Sequence, residues 1–204
     1  MYQTLGGIYI NLTNRCQNRC TFCIRQNGES VNQHESLWLS HEPSACEVIA
    51  QLDDVLQVVQ KQDVNATRKE IVFCGYGEPT YRLEVLLQVA TYAKSKGLKV
   101  RLNTNGLGNT ATQTDIVPLL KTHIDVVSIS LNESNAVDYL ALCKPHMGLS
   151  AFDHIITFAT RCVAHNIPTV LSVVDVIAAH KIEECKTIAQ QIGAELRVRK
   201  VEVS

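Results

Sequence analysis

The sequence lacks an excess of charge of either sign. Its 204 residues include 19 Lys and Arg against 20 Asp and Glu, which gives a formal net charge of −1. Proteins that bind nucleic acid or anionic membranes electrostatically usually carry a basic excess, so nucleic acid is not indicated as a partner. Hydrophobic residues make up 46% and charged residues 19% of the chain. This composition is typical of a globular protein and excludes a wholly disordered one.

Long apolar runs are also missing. The longest, IPTVLSVVDVIAA at 167–179, is shorter than the roughly 20 residues that a membrane-spanning helix needs. The first residues, MYQTLGGIYI, have neither the basic start nor the apolar core of a signal peptide. Together these features predict a cytoplasmic protein with no membrane partner.

No linker, repeat or low-complexity segment divides the chain, so we expect a single domain over residues 1–204. Short β-branched runs alternate with segments of helical periodicity. This alternation predicts an α/β fold with a parallel sheet, either open and doubly wound or closed part-way into a barrel. The predicted strands cover 8–13, 70–75, 99–104, 126–132, 169–175 and 196–203, and the predicted helices cover 43–62, 81–97, 113–122, 150–165 and 180–193.

The chain has eight cysteines, and in a reducing compartment clustered cysteines are more often metal ligands or catalysts than disulfides. Cys16, Cys20 and Cys23 follow the first predicted strand, in NLTNRCQNRCTFC. Three thiolates can bind three irons of an iron–sulfur cube and leave the fourth iron open. A structural zinc site needs four ligands, and the nearest histidines are His34 and His41. Three scattered cysteines are expected to be small buried hydrophobes: Cys46, Cys162 and Cys185.

Polar motifs follow the next predicted strands at the points where they end. GYGEPT occupies 75–80, NTNG occupies 103–106 and LNES occupies 131–134. In parallel α/β folds, ligands and catalytic groups collect at the carboxyl ends of the strands. The motifs are therefore expected to lie near the three clustered thiols.

The spacing Cys16-xxx-Cys20-xx-Cys23, with the aromatic Phe22 before the last thiol, resembles the signature of the radical S-adenosylmethionine (SAM) superfamily. The GEP and NTNG motifs strengthen this resemblance. It implies a single-domain partial (β/α)6 TIM-like barrel, a [4Fe–4S] cluster held by the three cysteines, and SAM bound to the fourth iron. It also implies an external one-electron donor such as flavodoxin or ferredoxin. The reaction would be reductive cleavage of SAM to methionine and a 5′-deoxyadenosyl radical, which takes hydrogen from an unidentified substrate.

The same resemblance implies which residues contact SAM. A glycine-rich segment lets the backbone approach a ligand closely, and a carboxylate can accept hydrogen bonds from an ammonium group. A tight turn is the alternative role for the two glycines, and Tyr76 stands where the family usually has another glycine. The expected SAM contacts are Phe22, Gly75, Tyr76, Gly77, Glu78, Asn103, Asn105, Ser130 and Val174.

Within the superfamily, the absence of a second cysteine motif disfavours members with additional clusters. LTNRCQNRCTFCIRQ together with LCKPHMG at 142–148 resembles the TatD-linked radical SAM proteins, which points to association with a TatD-type nuclease. The segments 99–106 and 124–132 resemble the glycyl-radical activating enzymes. A non-catalytic iron–sulfur or redox module is the alternative outside the enzymes. Cys143 and Lys144 are the candidates for substrate contact.

Overall fold

The computed structural model describes residues 1–4, 7–27, 30–31, 35–62 and 70–200. The strands are β1 Tyr2–Thr4, β2 Gly7–Ile10, β3 Ser30–Val31, β4 Glu35–Ser36, β5 Glu70–Phe73, β6 Lys99–Thr104, β7 Val126–Ser130, β8 Thr169–Val174 and β9 Glu195–Arg199. The helices are α1 Ala45–Gln62, α2 Leu83–Ser95, α3 Gly108–Thr112, α4 Val117–His123, α5 Ala136–Cys143, α6 Ser150–Ala164 and α7 Ala179–Ile192.

The main sheet has the order β1-β2-β5-β6-β7-β8-β9, and the six strands from β2 onward are all parallel. A doubly wound sheet would reverse its strand order at a switch point. Here the order follows the chain without reversal, and right-handed crossovers then place the connecting helices on one face. Because β1 and β9 are edges, the sheet is not closed. The partial TIM-like barrel is confirmed, with β1 added antiparallel to β2.

The two faces of the sheet differ in burial. On β6, Val100 and Leu102 are fully buried, whereas Arg101 and Asn103 are half-buried. Because side chains alternate across a strand, the buried set packs against the helices and the other set forms the inner face of the partial barrel. We define the inner face by the residues that strand register aligns with Arg101 and Asn103: Tyr9, Val72, Val126, Ser128, Ser130, Val170, Ser172, Glu195 and Arg197.

Local sequence signals set several helix ends. Ser44 and Glu47 form a reciprocal capping box before α1, with the Glu47 backbone N–H donating to Ser44 Oγ at 3.3 Å and the Ser44 N–H to Glu47 Oε2 at 2.8 Å. Gly97 and Gly193 follow α2 and α7 with φ of 75° and 82°. Glycine adopts this left-handed conformation with little strain, so it ends a helix readily.

The structure differs from the sequence expectations at several elements. The first parallel strand ends at Ile10, and Asn11 lies in the loop beyond it, where its side chain donates to Leu37 O at 2.6 Å. Helices α3 and α5 were not expected, and α5 begins where Asn135 Oδ1 accepts from the Asp138 N–H at 3.0 Å. The end of the last predicted strand, 201–203, and His34 lie outside the described residues.

Over the parts of the chain that the structure describes, no helix combines the length and apolar character needed to cross a bilayer.

Candidate functional site

The loop that carries the three clustered cysteines is docked on the end of α5. The backbone N–H groups of Arg19 and Thr21 donate to the carbonyls of Cys143 at 3.0 Å and Leu142 at 2.9 Å. The last carbonyls of a helix have no partner within the helix. The cysteine loop therefore supplies hydrogen-bond donors to the last carbonyls of α5. The same two hydrogen bonds hold the loop in place on the helix.

The three thiols are partly buried. Burial and the nearby Glu78 carboxylate raise the pKa of Cys16 to about 12, and burial also raises the pKa of Cys23. The pKa of Cys20 is raised first by a hydrogen bond with the Cys143 thiol and then by burial. Thiolates in such surroundings need a strong compensating positive charge, which coordinated metal ions supply.

Three cysteine thiols on one loop are a donor set that an iron–sulfur cluster takes. Among the described residues, no three His, Cys, Asp or Glu side chains converge on one metal position. A mononuclear zinc site needs all its ligands at about 2.0–2.3 Å from one ion. A [4Fe–4S] cluster instead takes each thiolate on a different iron. The donor set therefore fits a cluster.

The GYGEPT segment lies directly against the start of the cysteine loop. A Cβ atom on Gly77 would stand 2.2 Å from Thr13 O, and one on Gly75 would stand 2.4 Å from the Asn11 side chain. The Glu78 N–H donates to Arg15 O at 2.8 Å in the same region. Close packing against the Thr13 backbone and the Asn11 side chain thus accounts for both glycines without reference to a ligand.

Glu78 joins this segment to the NTNG motif. Its side chain is only 2% exposed, and its carboxylate accepts from Thr104 Oγ1 at 2.7 Å, the Asn105 N–H at 2.7 Å and Thr80 Oγ1 at 2.8 Å. Burial raises the pKa of this carboxyl, while the hydrogen bonds oppose that rise. Oε2 accepts only the Asn105 bond among these, so it retains capacity for a further donor.

The two asparagines of NTNG have different surroundings. Asn105 Oδ1 accepts from the Leu107 N–H at 2.9 Å, and Asn105 Nδ2 lies 3.8 Å from Cys16 Sγ. Asn103 lies on the inner face, and its buried Oδ1 has no hydrogen-bond partner within the described part of the chain. Buried polar atoms are nearly always paired in native proteins, so Asn103 Oδ1 is an acceptor with an unused hydrogen-bond capacity.

The remaining expected SAM contacts lie around this edge of the sheet. Ser130 is half-buried on the inner face, and Val174 ends β8 with 5% exposure. Phe22 is partly buried against the core. Tyr76 is 3% exposed and packs edge-on against Trp38, with ring centroids 5.1 Å apart. The Arg25 guanidinium covers the same Trp38 ring at 4.9 Å.

The candidate substrate residues Cys143 and Lys144 are placed differently. Cys143 is fully buried at the end of α5, where its thiol contacts Cys20 and accepts from Asn132 Nδ2 at 3.6 Å. Lys144 is exposed with a φ of 44°. A role in substrate contact stays a prediction for both. Beneath the loop, Asn18 Nδ2 also donates to Tyr139 Oη at 2.8 Å, a contact that the sequence alone did not indicate.

The burial of the three scattered cysteines tests the prediction that they are small buried hydrophobes. Cys162 and Cys185 are buried, as predicted for small hydrophobes. The same prediction was wrong for Cys46, which is exposed because it lies on the outer side of the first turn of α1.

Replacing Cys143 with alanine is expected to destabilise the cysteine loop, because it removes a buried thiol that touches Cys20 and Asn132. Destabilising point mutations typically cost about 0.5–3 kcal/mol, which corresponds to a loss of several degrees in Tm for a chain of this size. Thermal unfolding followed by circular dichroism measures this. Lys144→Ala is the control, and an equal Tm for the two variants would contradict the packing role of Cys143.

Comparisons with known proteins find related sequences. A model of the Radical SAM superfamily matches residues 10–192. GTP 3′,8-cyclase of Corynebacterium glutamicum is 30% identical over 140 residues, which is 66% of this chain and 33% of that protein. Molybdenum cofactor biosynthesis protein 1 of Dictyostelium discoideum is 26% identical over 136 residues, 66% of this chain and 19% of that protein. The matched region thus spans a third or less of these curated relatives.

Solved structures share the fold at low sequence identity. Streptococcus suis SuiB bound to S-adenosylmethionine has a TM-score of 0.70 at 16% identity, over 98% of this chain and 41% of that one. A radical SAM methyltransferase from Sphaerobacter thermophilus has a TM-score of 0.64 at 15% identity, over 94% of this chain and 65% of that one.

Proposed function

The chain belongs to the radical SAM superfamily, whose enzymes use a [4Fe–4S] cluster and SAM, and on this basis we propose that it is a SAM-cleaving enzyme that acts on an unidentified substrate. When bound, these groups supply one-electron cleavage of SAM to methionine and a 5′-deoxyadenosyl radical, which takes a hydrogen atom. The electron comes from an external donor such as flavodoxin or ferredoxin.

One observation carries the proposal: three motifs that are far apart in sequence are hydrogen-bonded to one another at one edge of the sheet. The Glu78 N–H donates to Arg15 O at 2.8 Å, next to Cys16. The Glu78 carboxylate accepts from the Asn105 N–H at 2.7 Å, and Asn105 Nδ2 lies 3.8 Å from Cys16 Sγ. A simple cluster carrier needs only the thiols, so the two additional motifs favour a site that also binds SAM.

In this proposal Cys16, Cys20 and Cys23 hold the cluster. Glu78 holds the NTNG segment beside Cys16 and offers Oε2 to the SAM ammonium group. Asn103 Oδ1 accepts a hydrogen bond from a ribose hydroxyl, which would satisfy its buried oxygen. The other proposed SAM contacts are Phe22, Gly75, Tyr76, Gly77, Asn105, Ser130 and Val174.

Asn103→Ala is expected to weaken SAM binding about tenfold, because a net hydrogen bond contributes about 0.5–1.5 kcal/mol and 1.4 kcal/mol corresponds to a factor of ten. Equilibrium dialysis of radiolabelled SAM against the reconstituted protein measures the affinity directly. Gln88→Ala removes an exposed amide on α2 and serves as the control. Unchanged affinity in Asn103→Ala would remove this residue from the SAM site.

The proposed activity is tested by anaerobic reconstitution with iron and sulfide, followed by SAM and dithionite. We expect about four irons per chain and the formation of 5′-deoxyadenosine detected by chromatography and mass spectrometry. A protein that carries the cluster but forms no 5′-deoxyadenosine would support the non-catalytic iron–sulfur module instead.

Within the superfamily we propose a TatD-linked type of radical SAM protein that associates with a TatD-type nuclease. The support is the resemblance in LTNRCQNRCTFCIRQ and LCKPHMG. The glycyl-radical activase is the alternative, and it predicts a glycyl radical detectable by electron paramagnetic resonance on a partner protein. One curated relative is named GTP 3′,8-cyclase, so GTP is a further substrate to test.

A further inference from the structure

The inner face of the sheet contains a cavity of about 510 Å³. This volume lies within the range of small-molecule binding sites. Charged and polar side chains line it from three strands: Arg101 on β6, Ser128 on β7, and Glu195 and Arg197 on β9. The apolar lining includes Val126 and Val170.

Resting on the proposed function, we propose that this cavity binds the substrate through a carboxylate or phosphate group that contacts Arg101 and Arg197. This proposal adds the chemical class of the substrate, an anion, to the proposed cleavage of SAM. Three features of the described residues support this binding mode: a donor without an acceptor, a cation without an ion pair, and the position of the cavity beside the proposed ribose contact.

The unsatisfied donor is Arg101 Nε. Arg101 Nη2 forms an ion pair with Glu70 at 3.0 Å, and the Arg101 side chain is 18% exposed. Its Nε atom is buried and has no hydrogen-bond partner among the residues that the structure describes. A guanidinium group can only donate, so the missing partner has to be an acceptor. Carboxylate and phosphate oxygens suit this donor because they accept charge-assisted hydrogen bonds.

The second cation is Arg197. It lies on the exposed edge strand β9 and lines the same cavity. None of the ion pairs found within the described ranges involves Arg197. Its guanidinium fork matches carboxylate and phosphate geometry. Glu195 lies two residues earlier and lines the cavity with opposite charge, so it opposes an anion and provides an internal contrast for the test.

The cavity adjoins the proposed SAM site. Ser128 in the cavity is the register partner of Asn103, the proposed ribose contact, and neighbouring strands lie about 4.8 Å apart. A ligand held by the two arginines would therefore lie on the same face of the sheet as the proposed ribose contact. Cationic substrates are disfavoured by the two guanidinium groups.

The test uses the cluster-reconstituted protein with SAM, titrated separately with inorganic pyrophosphate and with succinate in a calorimeter. We expect saturable binding of at least one probe, and the arm that binds identifies phosphate or carboxylate as the favoured source. Arg197→Ala should weaken binding at least tenfold, Arg197→Lys should restore part of the loss, and Glu195→Gln should tighten binding. Lys186→Ala, which removes an exposed cation on α7, should have no effect.

Arg101→Gln is also measured, and circular dichroism verifies that this variant folds. The Arg197 variants decide the test, because replacing an exposed side chain does not disturb the fold. Absence of binding by both probes would overturn the proposal, as would equal weakening by Arg197→Ala and Lys186→Ala. The same samples are assayed for 5′-deoxyadenosine. If wild-type protein forms it but binds neither probe, only the anion site fails, whereas its absence would count against the proposed function.

Discussion

Replacing Cys16, Cys20 or Cys23 with serine is expected to reduce 5′-deoxyadenosine formation at least about 100-fold. Changes in residues that merely support metal ligands typically cost 10–100-fold in metal affinity or activity, and loss of a proposed ligand should cost more. The broad iron–sulfur absorbance should fall in parallel. Iron content, absorbance and product are measured on the same anaerobically reconstituted samples.

Cys46→Ser is the matched control for these variants. Cys46 is a free thiol that is exposed on α1, so its replacement removes one thiol without touching the loop. It should retain wild-type iron and product. A serine variant at 16, 20 or 23 with full iron content and product would show that the replaced thiol is not a ligand.

Gly77→Ala is expected to have the second largest effect, on the stability of the whole site. The new methyl group would stand 2.2 Å from Thr13 O, and a backbone atom cannot move aside as a flexible side chain can. Overpacking typically costs 1–3 kcal/mol and occasionally more, which lowers Tm by about 2–4 °C per kcal/mol in a chain of this size. The cysteine loop, which contacts this segment, should also lose iron. Thermal unfolding and iron content measure the two effects.

Gly148→Ala separates steric overlap from backbone strain. Gly148 has a φ of 68°, and no atom lies within 4 Å of the position that its Cβ would occupy. This control therefore carries only the cost of a left-handed conformation, about 1–2 kcal/mol. A wild-type Tm for Gly77→Ala would contradict a packing role for Gly77. Full stability of Gly77→Ala with loss of SAM binding would assign the glycine to the ligand instead.

Several features of the fold could be predicted because they depend on local sequence. Strands β5 to β8 were expected close to their observed positions, since short β-branched runs bounded by turn residues are a local signal. The alternation in KVRLNT also anticipates a face with Arg101 and Asn103. Helix α5 was missed because its 8 residues form a short element. Its Asn135 cap was the one available signal.

The sequence by itself determined the cysteine spacing, the polar motifs at strand ends and the alternation of strands with helices, because these follow from residue type and short-range periodicity. Only the tertiary structure decided the pairings across long separations. Cys143 lies beneath Cys20, and Glu78 is enclosed by the NTNG motif. Arg101 and Arg197 share one cavity. Such contacts depend on strand register and helix docking, which bring together groups that no local pattern relates.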